Sequence, residues 1–330
     1  MKGKVRIDYI DYAKGLGILL MVIGHYEYLN HSFTQWIYSF HMPMFFLISG
    51  YLDYKFNLYT EVTIYVKKKV RSLLVPYYFF AFLILVLEFI IGKNRDIVHG
   101  LIYSLYYIQD PGFWFFFLLF VTDLFFLLYR KIIKLQFKII TIILLFFCSL
   151  LVGWGEQTYR DIPFKADFYP SCAFYFVIGA LVAEYWPFFD EYIKNRKCEC
   201  AIILLVLSIF VLCYVGIIND IHIWVFIARP HYPLITLIGI FFVIMLGVII
   251  DCTKMRLLKI VLKYLAVNAI VICIFHSKVF WLVRTIDAQV GIAPSSWQSH
   301  FIVIAVEICL LVPTVYMFNR YIPFLVGKRK

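Results

Sequence analysis

A chain of 330 residues with 63% hydrophobic and only 15% charged side chains lacks the polar groups needed to cover soluble domains of that length. A soluble globular protein is excluded. The formal net charge of +11 would suggest nucleic acid only if the basic residues shared a hydrophilic face; they fall between apolar runs instead, so no nucleic-acid partner is expected.

In chain order, apolar runs long enough to cross about 30 Å of hydrocarbon occupy residues 12–29, 36–52, 75–91, 112–128, 138–155, 171–187, 200–218, 232–250, 264–283 and 300–318. None alternates as a barrel strand does, and in lipid each backbone donor must be satisfied within its own segment, so helices are predicted throughout. The expected fold is an all-α polytopic membrane protein of about ten transmembrane helices. It forms a single integral-membrane domain over 1–330, with no separate soluble domain. Basic residues precede the first run as in a signal peptide, but no small-residue cleavage site comes after it and His25 interrupts the run; an uncleaved first helix is expected. The eight cysteines lie mostly within runs, and Cys198 with Cys200 is too closely spaced for a zinc pair. Disulfides are not expected.

Lys and Arg in short loops set orientation. The N-terminus, the loops around 53–74, 129–138, 188–199 and 251–263, and the C-terminus together hold 23 of the 31 basic residues; the alternate loops hold six, and Lys14 and Lys278 lie inside runs. This alternation places both termini in the cytoplasm and the chain in the cell (inner, cytoplasmic) membrane as a multi-pass protein.

Ionisable groups at membrane depth are costly and are therefore functional candidates. They are Lys14, His25, His41, Glu88, Asp123, His276, Lys278 and Glu307. Lys14 and His25 are eleven residues apart, about 1100° of helical rotation, so they share one face at an axial separation of roughly 16 Å. Gly15, Gly17 and Gly24 beside them permit close approach of a neighbouring helix. In the second run His41 is followed by Pro43, which removes a backbone donor and frees a carbonyl. His276 lies about two turns from the outer end of the ninth run. Three histidines from three helices thus fall at comparable outer depth. No two of them have i, i+4 spacing on one helix and no HExxH motif occurs, so no metal site is expected; a neutral imidazole acting as general base is the better use.

Two stretches are recognisable together: Ile10-Asp11-Tyr12-Ala13-Lys14-Gly15 running to Gly24-His25, and Phe40-His41-Met42-Pro43-Met44-Phe45-Phe46-Leu47-Ile48-Ser49-Gly50-Tyr51-Leu52. With Lys69-Val70-Arg71 ahead of Pro76, Trp114-Phe115 and Ile274-Phe275-His276, they resemble the membrane-bound acyltransferase family 3, more narrowly the branch of fucose 4-O-acetylase and related acetyltransferases. The wider family has an Arg-x10-His pattern in its first helix. Here Lys14 takes the first position, which keeps the charge without the bidentate fork of arginine.

The resemblance implies transfer of an acyl group, usually acetyl from acetyl-CoA, to a hydroxyl of a surface carbohydrate or lipid-linked glycan. No permanently bound cofactor is expected; acetyl-CoA is the acyl donor, and the partners are a carbohydrate or glycolipid acceptor and the bilayer. His25 is the expected general base and Lys14 the residue of the cytoplasmic throat, positioning CoA or pairing with Asp11. His41, His276 and Trp114 are expected to face the acceptor. Arg71, Lys69 and Lys68, with Lys67, are the expected phosphate contacts, arginine being the better bidentate partner. A competing reading is a glycan or small-anion transporter in which Lys14, His25 and Glu307 line a polar pathway, although the second half holds no counterpart of His25 and His41. A structural or sensory membrane protein would explain the runs but not the aligned Lys14 and His25.

Overall fold

The computed structural model describes residues 6–26, 29–56, 61–90, 92, 98, 100–102, 114–132, 138–155, 162–218, 229–290 and 297–326. Among them the secondary structure is helical: α1 (Asp8–Gly24), α2 (His31–Lys55), α3 (Val62–Lys69), a π-helical turn (Val70–Leu74), α4 (Val75–Ile90), α5 (Trp114–Ile132), α6 (Lys138–Gly155), α7 (Tyr169–Asn195), α8 (Lys197–Ile218), α9 (Tyr232–Cys252), α10 (Arg256–Val267), α11 (Ala269–Val290) and α12 (Trp297–Tyr321). The apolar runs therefore fold as predicted in type. Among the described residues five stretches are long and apolar enough to cross a bilayer: Val62–Leu87, Pro163–Phe188, Lys197–Tyr214, Tyr232–Cys252 and Ile302–Tyr321. A sixth consists of α10 with Ala269–Val283, bent by 86° at the join.

Among the boundaries that differ from the sequence reading, the third apolar stretch starts at Val62, well before residue 75, and two others bear on the site. The first run, expected to continue to residue 29, ends its helix at Gly24, and His25 is the C-cap. The ninth run, expected from residue 264, is broken at Asn268. Asn268 turns the chain because its Nδ2 donates to the Tyr264 carbonyl (2.7 Å) and its Oδ1 accepts from Asn319 of α12 (2.8 Å). A short polar side chain that bonds its own backbone competes with continuation of the helix.

The core is built around α2, which packs against α1, α7, α8 and α9. Its seam with α7 is set by two glycines: a Cβ on Gly50 would collide with the Phe176 carbonyl, and one on Gly179 with the Leu47 carbonyl. Backbones in lipid associate through this kind of close van der Waals contact, since burial of apolar surface gives no advantage over lipid tails. Gly15 plays the same part for α1, where a Cβ would strike the Leu262 carbonyl of α10. Around this core α6 and α8 turn large apolar residues outward, among them Leu144, Leu151, Ile203 and Phe210. Such continuous exposed apolar surface suits contact with lipid.

Pro43 sits inside α2 without breaking it. Lacking an N–H, it cannot bond the carbonyl four residues back, that of Ser39. Thr236 Oγ1 of α9 donates to that carbonyl instead, at 2.8 Å. The expectation of a freed carbonyl beside His41 is met, and the partner that takes it ties α9 to α2 just below the histidines.

Candidate active site

Three imidazoles meet at one end of α1. The His25 ring centroid lies 4.6 Å from that of His276 on α11 and 6.4 Å from that of His41 on α2, in both cases edge to face. His41 is 3% exposed and His276 2%, whereas His25 is half-buried. Helix-end position explains the difference, since the chain leaves α1 at His25.

The three rings share one backbone arrangement. Nδ1 lies 2.8 Å from the Met21 carbonyl in His25, 3.0 Å from the Ile37 carbonyl in His41 and 3.1 Å from the Ile272 carbonyl in His276. Each acceptor is the carbonyl four residues back on the same helix. A carbonyl has no proton to give, so Nδ1 carries the hydrogen and donates it, and in the neutral ring Nε2 keeps its lone pair. In His276 that Nε2 is buried and has no hydrogen-bond partner among the described residues. A buried nitrogen left unsatisfied costs free energy, and such sites in native proteins are commonly functional.

Aromatic and polar groups close the surroundings. Tyr38 stands 5.2 Å from His25 and 5.1 Å from His41 between ring centroids, and Phe280 packs edge-on against His276. Tyr26, next to His25, hydrogen-bonds His300 Nδ1 at 2.8 Å and so fastens this end of α1 to the start of α12. Sequence reasoning did not single out Tyr38; its spacing of three from His41 on one helix, which makes the two neighbours, was the available signal. Trp114 opens α5 and packs against Phe115 and Phe168. Glu307 is buried on α12. No group of three metal-ligating side chains occurs among the described residues.

The opposite end of α1 is charged. Lys14 is half-buried and makes no hydrogen bond or ion pair among the described residues, although Asp11, Asp53, Lys69 and Arg6 lie within electrostatic reach. The expected pairing with Asp11 is not formed; Asp11 is 3.7 Å from Arg6 instead. One helix away lies a compact buried ion cluster. Lys69 Nζ donates to Asp53 (3.1 Å) and Asp123 (2.9 Å), and the Tyr65 hydroxyl contacts the same two carboxylates at 2.5 and 3.1 Å. Asp123 is fully buried and Asp53 nearly so.

Lys69 was expected to contact phosphate beside its neighbours, and the structure separates it from them. Its side chain turns inward while Lys67, Lys68 and Arg71 are exposed. Lys67, Lys68 and Lys69 lie on one regular helix at successive steps of about 100°, so Lys69 falls on the buried face of Tyr65, one turn earlier, while its neighbours face outward. A π-helical turn, in which Val75 N–H bonds the Val70 carbonyl five residues back, comes after it. One extra residue in the turn rotates the helix beyond it relative to the helix before it. Asp53 and Tyr65 were the missed members of this cluster; Asp123 was singled out only as an ionisable group at membrane depth. Tyr65 and Lys69 at i, i+4 share a helix face, but nothing in the sequence pairs them with α2 and α5.

Comparison with known proteins adds the chemistry. Residues 7–317 match a family model described as an acyltransferase domain. The nodulation protein NolL of Mesorhizobium japonicum is 40% identical over 88 residues, a stretch covering 24% of this chain and 24% of the relative. The match thus spans about a quarter of that relative's length. No solved structure matches.

Proposed function

The chain belongs to the membrane acyltransferase family whose domain covers it from residue 7 to 317, and from that premise of O-acyl transfer we propose that it moves an acetyl group from cytosolic acetyl-CoA to a hydroxyl of a surface or lipid-linked carbohydrate. The observation that carries the proposal is the imidazole cluster, in which the Nδ1–H of each ring is committed to a carbonyl and Nε2 is left as a base. His25 is the most accessible of the three rings and acts on the acceptor. Its Nε2 takes the hydroxyl proton as the oxygen attacks the thioester carbonyl; the C–S bond then breaks and CoA leaves as the thiol once a proton is returned to sulfur.

The other two rings serve the acceptor. His276 Nε2 accepts a hydrogen bond from a sugar hydroxyl, and His41 and Tyr38 form an aromatic wall beside the reacting oxygen. Neutral rings here leave the imidazolium of His25 without a close like charge, so proton transfer is not opposed.

In this reading the chain is one integral-membrane domain of about ten spans with both termini in the cytoplasm, which supplies the donor from the basic side. The exposed Lys67, Lys68 and Arg71 meet the phosphates of CoA there. Lys14, without a partner among the described residues at the same end of α1, draws the anionic donor into the bundle toward His25.

The test compares acetate on the cell-surface glycan with the gene intact, deleted, and carrying His25→Ala at matched membrane abundance. Loss of acetate in both altered strains supports the reading. Unchanged acetate after deletion would sink the acceptor assignment, and full acetylation with His25→Ala would sink the base.

A further inference from the structure

We propose that α10 is an interfacial helix seated on anionic phospholipid. The proposal goes beyond acyl transfer and does not depend on donor or acceptor.

The sequence of α10 divides into three faces. At 100° per residue, Leu257, Ile260, Val261 and Tyr264 fall within about 100° of one another, and all four are exposed, Leu257 at 76%. Leu258, Leu262 and Leu265 occupy a second sector of about 60°. Leu262 is fully buried and its backbone rests on Gly15 of α1. Arg256, Lys259 and Lys263 fill a third sector of about 60°, and the three sector centres stand roughly 120° apart. One face thus meets the bundle, one is apolar and open, and one is basic.

The bend fixes how these faces meet a bilayer. α10 runs at 86° to the first part of α11, so when α11 crosses the membrane α10 lies nearly in its plane. The bend is held from two sides by the hydrogen bonds of buried Asn268 to Tyr264 and Asn319. With Leu262 against α1, the apolar face points to hydrocarbon and the basic face to the headgroup layer, the arrangement of an amphipathic interfacial helix.

Charge identifies the lipid. Lys259 donates to the Asp251 carbonyl and Lys263 pairs with Asp8 at 3.0 Å, which anchors that flank to the protein. Lys254 and Arg256, at the start of the helix, are exposed, and their side chains have no partner among the described residues. Two unspent cations at headgroup depth beside an open apolar stripe complement a phospholipid that carries net negative charge.

The full-length protein in nanodiscs of phosphatidylcholine mixed with phosphatidylglycerol provides the test. Photo-crosslinking from Ile260→benzoylphenylalanine is compared with crosslinking from Leu151→benzoylphenylalanine, an exposed apolar position on α6. Adduct mass identifies the lipid. The ratio of phosphatidylglycerol to phosphatidylcholine adducts is expected to be higher at position 260, by about fivefold for each unpaired cation. Combined Lys254→Gln and Arg256→Gln should return it to the value at 151. Equal ratios at the two positions, crosslinks to protein in place of lipid, or an enrichment that survives the double substitution would each overturn the proposal.

Discussion

Polar groups near the two ends of α1 stand under opposite regimes. At one end the His25 ring lies 4.6 Å from that of His276 and 6.4 Å from that of His41 between centroids, with each Nδ1–H committed to a carbonyl and Nε2 left without a partner among the described residues. One helix away from the other end, on α2, α3 and α5, Lys69, Asp53, Asp123 and Tyr65 spend their charges and hydroxyl on one another. A buried ion cluster of this kind resists change, because removing one member strands the others in a medium that solvates charge poorly. A cluster of neutral bases carries no such penalty and keeps its capacity to accept a proton. Reactivity is thus expected where interactions are incomplete, and rigidity where they are complete.

The largest effect expected from this contrast is on rate. His25→Ala should lower acyl transfer by roughly 10²–10⁴-fold while leaving thermal stability in detergent within error; a loss of stability that accounts for the whole loss of activity would erase the distinction. Lys69→Met should do the reverse. Leaving two buried carboxylates unpaired costs about 3–5 kcal/mol, to be read as a fall in unfolding midpoint or in membrane abundance. Lys69→Met combined with Asp123→Asn should recover part of that loss, and a double variant no better than the single one would show that the ion cluster is not what holds α3 to α5.

Smaller effects sharpen the boundary between the two regimes. Gly179→Ala forces a Cβ into the Leu47 carbonyl and should cost about 1–3 kcal/mol with no selective change in substrate dependence. Arg71→Ala is expected to raise KM for acetyl-CoA several-fold at unchanged kcat, which is the signature of lost ground-state binding. A fall in kcat alone would move Arg71 out of the phosphate site. Tyr65→Phe removes one hydroxyl shared by two carboxylates and should cost on the order of 1–2 kcal/mol of stability.

Much of this was legible beforehand. Long apolar runs predict helices because lipid admits little else, and Lys14 and His25 are placed on one helix face by arithmetic alone. The shared depth of His25, His41 and His276 could be read from their distances to run ends, and the structure brings their rings together. Pro43 announced a free carbonyl, but only the packing of α9 names Thr236 as its partner.

The limits are equally specific. In sequence Lys69 looks like Lys67 and Lys68, and all three fit one basic loop equally well. Its inward direction depends on carboxylates that lie 16 residues before it and 54 after it. The break at Asn268 was hidden because the apolar run continues through it, and the second amide that holds the bend comes from Asn319, 51 residues later. Composition and periodicity determined that this protein is helical and suited to lipid, since those properties arise from each segment's own transfer to hydrocarbon. Which cations are spent and which are free was decided only by tertiary structure, because pairing is a property of two surfaces brought together.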